Sequence, residues 1–266
     1  MSERVFEQAN QRDGTVVSVR GLHAGYHGRA VVKDLSLEVR AGEVVALLGA
    51  NGAGKTTTLL TLSGLLPPIA GEMELLGGPV PSRREAHRLV HRGVAHVPED
   101  RGLFPGLSVD KHLRLARPPK GESYTWVYDE LPALRRISDR RAGLLSGGEQ
   151  QMLALARALV GRPKVLLIDE MSLGLAPIIV QQLTPLVRHV ADELGCGVLL
   201  VELHVDLALT ITDRAYVMSH GQLVLEETGE VLRRNPTLLE KAYLGELGDR
   251  EDEPGAASIV AATATP

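Results

Sequence analysis

The octapeptide Gly49-Ala50-Asn51-Gly52-Ala53-Gly54-Lys55-Thr56 constrains this chain more than any other stretch. It follows an unbroken apolar run, residues 44–48, and precedes a helix expected over residues 55–65, which Gly64 and Pro67-Pro68 would end. Spaced glycines let a backbone curl until successive N–H groups point inward, and the following helix adds the positive end of its dipole. Such a ring of donors is a cradle for phosphates. In a strand–loop–helix setting, the pattern G-x-x-x-x-G-K-[ST] assigns Gly49, Asn51, Gly52, Ala53, Gly54 and the adjoining Thr57 to a nucleotide's phosphates. Lys55 would bridge the β- and γ-phosphates, and the Thr56 hydroxyl would sit on Mg²⁺.

The rest of the pattern agrees with such a loop. Short apolar, β-rich runs at residues 16–19, 31–39, 72–76, 94–97, 165–168, 198–201 and 215–218 read as strands, with a surface hairpin arm at 222–226. Between them fall helices near 83–91 and at 149–160, then a longer one marked by Ile179, Leu183, Leu186, Val187, Val190 and Leu194. Pro185 lies inside that last stretch without an amide proton, so a kink or a break is expected there. Residues 103–145 change character: pieces at 109–117 and 124–131 suggest a small helical insert. Strands alternating with helices, several apolar on both faces, imply an α/β fold around a mostly parallel sheet. The expected organisation is a flexible start over residues 1–14, one domain over 15–248, and a disordered tail over 249–266.

Bulk properties remove several function classes. With 266 residues and 44% hydrophobic content the chain can bury a large core, and a net charge of -4 gives no overall electrostatic footprint for nucleic acid. Two local basic clusters stand out: Arg83, Arg84, His87, Arg88, His91 and Arg92, then Arg135, Arg136, Arg140 and Arg141. Each reads either as a solvated helix face or as a surface for acidic partners or lipid headgroups. Cys196 is the only cysteine, so no internal disulfide forms, and its apolar neighbours suggest a buried, inert thiol. The first 14 residues lack the apolar stretch of a signal peptide, and no run of eighteen apolar residues exists to cross a membrane.

Val165-Leu166-Leu167-Ile168-Asp169-Glu170 is an apolar strand ending in two acids. Beside a phosphate loop that pair gains meaning: Asp169 would hold Mg²⁺ through water, and Glu170 would polarise an attacking water. Eighteen residues before Asp169, counted from Gln151, ends the segment Leu145-Ser146-Gly147-Gly148-Glu149-Gln150-Gln151, which runs into an amphipathic helix. Seven such identities arise by chance on the order of 10⁻⁶ times in a chain this long, from average residue usage.

With that segment the chain resembles ABC-transporter ATPase subunits from Val16 to about Leu244. The resemblance implies a P-loop cassette with a mostly parallel sheet core, an antiparallel β subdomain and the helical insert. It implies ATP and Mg²⁺ as ligands. Ser146, Gly147 and Gly148 would approach the γ-phosphate held by a second ABC subunit, so that one chain carries two half-sites. Tyr26 matches the aromatic that stacks on adenine, although a tyrosine packing at a strand end would look the same. The narrower likeness is to ATPases of branched-chain amino-acid importers. There Glu99, in Val97-Pro98-Glu99-Asp100-Arg101-Gly102, stands where most members have a Mg²⁺-sensing glutamine that also touches the membrane subunit. Ser172-Leu173-Gly174-Leu175-Ala176-Pro177 and Lys241-Ala242-Tyr243-Leu244-Gly245 carry the same likeness.

Two positions depart from the pattern. Met171 replaces the proline that usually follows the acids, and Leu203 stands where the family commonly has a histidine on the γ-phosphate, with His204 one step along. Because strands alternate faces, His204 is either that contact or a solvent-facing or capping residue. The implied partners are a like or related ATPase subunit, membrane permease subunits, and indirectly an extracytoplasmic binding protein, with the chain peripheral on the cytoplasmic face of the membrane. Two other readings stay open: a nucleotide-binding regulatory subunit whose partner does the catalysis, and a soluble ABC ATPase without a permease.

Overall fold

Residues 14–247 are described by a computed structural model of the chain. The expectations for the start and the tail concern residues outside that range, apart from Gly14. Two sheets form. One is antiparallel, with strands β1 (Thr15–Tyr26), β2 (Arg29–Arg40), β4 (Pro68–Leu75) and β5 (Gly78–Pro79) in the order β2-β1-β4-β5. The other has the order β10-β9-β3-β8-β7-β6, from β3 (Val44–Gly49), β6 (Val94–Val97), β7 (Val165–Asp169), β8 (Gly197–Val201), β9 (Arg214–Ser219) and β10 (Gln222–Thr228). Its first five strands in sequence run parallel, and β10 returns antiparallel to β9.

Every residue of β3, β7 and β8 is buried, as continuous apolar runs require when helices cover both faces. The two-residue period divides the layers. Val44, Leu166, Ile168, Val198 and Leu200 meet helices α6 (Gly147–Val160) and α7 (Pro177–Leu194). Val45, Leu47, Leu167 and Leu199 face the other way, onto Leu59 and Leu62 of α1 (Lys55–Leu62) and Val17, Leu35 and Leu75 of the antiparallel sheet. Helix α1 thus lies between the sheets. Its buried Thr58 and Thr61 hydroxyls donate to the carbonyls of Gly54 and Thr57, so no polar group is orphaned by that position.

Boundaries differ from expectation where local chemistry acts. Helix α1 stops at Leu62, because Gly64 takes φ 72° and the amides of Leu65 and Leu66 fold back to the Leu60 carbonyl. Strand β4 accordingly starts earlier than expected, at Pro68. The helix expected near 83–91 divides into a 3₁₀ turn, Arg83–Glu85, and α2 (His87–Arg92). Helix α7 is continuous through Pro185, not broken: Pro185 and Gln181 are both exposed, so water can serve the freed Gln181 carbonyl. In the insert, α3 (Val109–Leu115), α4 (Val127–Glu130) and α5 (Pro132–Arg136) form with no strand. Beyond the insert, three short helices were not foreseen: α8 (Val205–Ile211), α9 (Gly229–Arg234) and α10 (Pro236–Leu244). They cover Ala46, Leu48, Ala215 and Val217.

Several basic residues already have partners. Arg92 donates to the carbonyls of Leu75, Gly78 and Pro79, Arg88 pairs with Glu85, Arg135 with Asp129, and Arg140 with Glu149. Cys196 is fully buried and its thiol pushed up to about 12, consistent with an inert role.

The sheets touch where β9 turns into β10. The Gly221 carbonyl accepts from the Lys33 amide at 2.8 Å, and at φ 88° a Cβ on Gly221 would overlap the Val31 carbonyl. Gly221→Ala is therefore expected to destabilise the chain by about 2–4 kcal/mol, read as a lowered denaturation midpoint. A substitution on Gly28, whose surroundings are open, should cost less.

Candidate nucleotide site

The phosphate loop leaves β3 at Gly49 and enters α1 at Lys55. Gly49 (φ 149°), Gly52 (82°) and Gly54 (107°) all adopt positive φ, which permits the curl. Gly49 also lacks room for a side chain: a Cβ would overlap the Met218 carbonyl on β9. Asn51 and Gly52 are exposed at the crest, while Ala53 is buried and Thr57 lies buried on α1. Lys55 is 5% exposed, and its ammonium donates to the carbonyls of Gly49 at 2.8 Å and Ala50 at 3.0 Å. Burial lowers its pKa, opposed by the charges of Glu170 and Asp169.

Those acids reach the site from the end of β7. Asp169, 2% exposed, accepts from the Thr56 hydroxyl at 3.3 Å. Burial pushes its carboxyl up to about 6, the Thr56 hydrogen bond opposes this, and the charges of Glu170 and Glu99 add to it. Glu170 turns the chain in the left-handed region (φ 50°) with its amide donating to the Val201 carbonyl at 2.9 Å, and its pKa is raised by burial and then by Glu99. Three carboxylates and one ammonium therefore share one field. Among the described residues no cluster of three His, Cys, Asp or Glu side chains forms a metal cage. The Thr56–Asp169 pair fits a Mg²⁺ ion, which takes one or two protein oxygens and completes its shell with water and phosphate.

Beyond Glu170, Met171 is buried in the core, where an apolar side chain takes the place of proline. Ser172 then makes a relay invisible in the motifs. The Glu202 carboxylate, 1% exposed, accepts the Ser172 amide at 2.9 Å and the Ser172 hydroxyl at 2.7 Å, and the same hydroxyl lies 2.8 Å from His204 Nδ1. Because the single hydroxyl proton goes to Glu202, His204 Nδ1 is the donor, leaving Nε2 free. The charge of His204 in turn lowers the Glu170 pKa, so the ring lies within its field. Strand alternation does not govern this position, since β8 ends at Val201 and His204 precedes α8 as its N-cap residue. Leu203 is half-buried. Sequence reasoning passed over Glu202 and gave Ser172 no role at the site; the available signal was an acid directly following an all-apolar strand.

Ser146 caps α6 in a reciprocal box: its hydroxyl accepts the Glu149 amide at 3.3 Å, and Glu149 accepts the Ser146 amide at 2.7 Å. Those contacts hold the Glu149 carboxyl below the ordinary range. Gly147 and Gly148 form the first turn, and a Cβ on Gly148 would press on Ile179. Arg101 bonds Gln150 and Gln151, and Arg157 bonds the carbonyls of Arg101 and Gly102, so the Glu99 loop is tied to α6. No hydrogen bond among the described residues joins the Ser146 turn to the phosphate loop. Tyr26 ends β1 opposite Arg29 and is 44% exposed.

Asp169 supplies a pH test. An acid whose folded pKa exceeds its unfolded value binds more protons when folded, so folding stability falls as pH rises from about 4 to about 6. Above that window the buried carboxylate is a standing cost. Asp169→Asn keeps an acceptor for Thr56, and is expected to raise the melting temperature of the nucleotide-free chain at pH 7.5 by a few degrees and to flatten its pH dependence. An unchanged melting curve would contradict this electrostatic account.

With the geometry in hand, known proteins place the chain. The family model described as ABC transporter matches residues 32–172. The high-affinity branched-chain amino acid transport ATP-binding protein BraG of Pseudomonas aeruginosa is 41% identical over 231 residues, 83% of this chain and 96% of that protein. The lipopolysaccharide export system ATP-binding protein LptB of Escherichia coli is 33% identical over 238 residues, 86% and 97% of the two chains. A solved ATP binding subunit of an ABC transporter superposes with a TM-score of 0.75 at 29% identity, covering 88% of this chain and all of that one. The chain belongs to the ABC transporter family, as one of its ATP-binding subunits.

Proposed function

We propose that this chain hydrolyses MgATP sandwiched between two ABC subunits and so energises an importer of branched-chain amino acids. The observation that carries the reading is the convergence of Lys55, Thr56, Asp169, Glu170 and Glu99 in one shared field at the mouth of a curled glycine loop. Backbone amides among residues 50–57 would receive the phosphates, and Lys55 would exchange two loop carbonyls for phosphate oxygens. Tyr26 would stack on adenine. Thr56 and Asp169 would hold Mg²⁺, with Glu99 beside them, and the ion would supply charge neutralisation at the phosphates. Glu170 would accept the proton of the water that attacks the γ-phosphorus. His204, aimed by Ser172, would contact the γ-phosphate in place of Leu203 as the imidazolium, whose Nε2–H donates to a phosphate oxygen.

Ser146, Gly147 and Gly148 would close the site of a second ABC ATPase subunit, whose own turn would close this one. The permease subunits would dock on the insert and the Glu99 loop at the cytoplasmic face of the membrane, where Phe104, Leu115 and Leu144 are exposed. An extracytoplasmic binding protein would deliver the cargo. Branched-chain amino acids are inferred from the relative named for their transport; the relative named for lipopolysaccharide export sets the competing class.

Glu170→Gln is expected to lower ATP turnover of the assembled transporter by about 10²–10⁴-fold while trapping ATP-bound dimers. Leu203 favours a second reading, a regulatory subunit with slow turnover, under which the same variant leaves transport intact. His204→Ala should lower kcat by about ten-fold or more, whereas Leu203→Ala should not. Equal effects from both would remove His204 from the site.

A further inference from the structure

The first peptide of the phosphate loop is gripped from the far end of the chain. The amide of Gly49 donates to the hydroxyl of Tyr243 at 3.1 Å, across 194 positions of sequence. Tyr243 belongs to α10, which packs with Leu239 and Ala242 over Ala46 and Leu48 of β3. Gly49 pairs with Met218 on β9 and has no space for a side chain on that side. Its amide would otherwise be a donor without a partner at a strand end, in a place shielded by a helix.

We propose that Tyr243 is a positioning residue for ATP binding: its hydroxyl, more than the packing of α10, holds the Gly49 peptide in the orientation from which the phosphate cradle curls. This deepens the reading above and rests on it. Two observations separate the role from plain packing. The ring is not enclosed on all sides, since Tyr243 lines a surface cavity of about 380 Å³ with Val205, Leu239, Glu240 and Leu244. The hydrogen bond therefore adds a directional contact to a ring that packing encloses only in part. The cavity also touches Val205, which directly follows His204, so α10 abuts both the loop that would grip the β- and γ-phosphates and the segment that carries the relay histidine.

Tyr243→Phe keeps the ring and deletes only the hydroxyl, leaving the Gly49 amide unpaired. The test uses the full chain and MgATP, measuring Kd by calorimetry well below the melting temperature of every variant, with Leu239→Ala as a control on the same helix. Tyr243→Phe is expected to raise Kd by about five- to ten-fold, and in the assembled transporter to raise the KM for ATP with kcat nearly unchanged. Leu239→Ala is expected to lower the melting temperature with a smaller change in Kd. An unchanged Kd for Tyr243→Phe, whatever its melting temperature, overturns the proposal. So does an equal rise in Kd for Leu239→Ala, which would assign the effect to helix seating rather than to the hydroxyl. If the parent chain itself fails to bind MgATP, the fault lies in the proposed function and not in Tyr243.

Discussion

A phosphate loop works only if its backbone is held open against its own tendency to satisfy itself, and the packing around Gly49 is what holds it. Strand β9 stands so close that no side chain fits there, and α1 is clamped between two sheets immediately after the curl. A loop so confined cannot relax into an ordinary turn. Its residual donors and the buried Lys55 are then left to find an anion, and in the free chain the ammonium makes do with two loop carbonyls. The position of the other acidic groups follows from that fixed point, because β8 lies beside β3 and β7 beside β8, all parallel, so that both deliver their acidic ends to the same edge.

The electrostatics has the same logic. Asp169 and Glu170 are carboxylates raised above their ordinary range by burial and by neighbouring acids, Glu170 and Glu99 for the first and Glu99 for the second, next to a lysine lowered by burial. Such a set is costly in isolation and becomes favourable when a dication and a polyanion arrive together. Marginal stability is spent at this edge of the sheet and recovered in the all-apolar interior of β3, β7 and β8.

Much of this was legible in the sequence, for a physical reason. Phosphate cradling, helix capping and metal binding each demand particular residue types at short spacing, so Gly49 to Thr56, Ser146 to Glu149, and Asp169 with Glu170 can be read locally. Long apolar runs likewise announced the parallel core and its fold class. What remained hidden depends on contacts between distant positions. Ser172 meets Glu202 across 30 residues, and Gly49 meets Tyr243 across 194, with nothing in either local pattern to signal the pairing. Helices α8 to α10 are too short for periodicity to reveal. Of the two outcomes expected at Pro185, the break is absent for another reason: whether a proline breaks a helix depends on whether the carbonyl it frees faces water, a property of the folded helix rather than of the residue.

The central claim is that nucleotide binds between two protomers, with Lys55 on one side and the Ser146 turn on the other. Thiol crosslinking tests it most directly, because the chain's only cysteine is fully buried and gives little background. One cysteine replaces exposed Asn51 in one ATPase subunit, and another replaces exposed Arg141, near the Ser146 turn, in its partner. Under a mild thiol oxidant, the account expects a disulfide-linked pair with a non-hydrolysable ATP analogue and Mg²⁺, and little without the nucleotide and ion. Crosslinking indifferent to nucleotide, or absent with every ABC subunit tried, would contradict it.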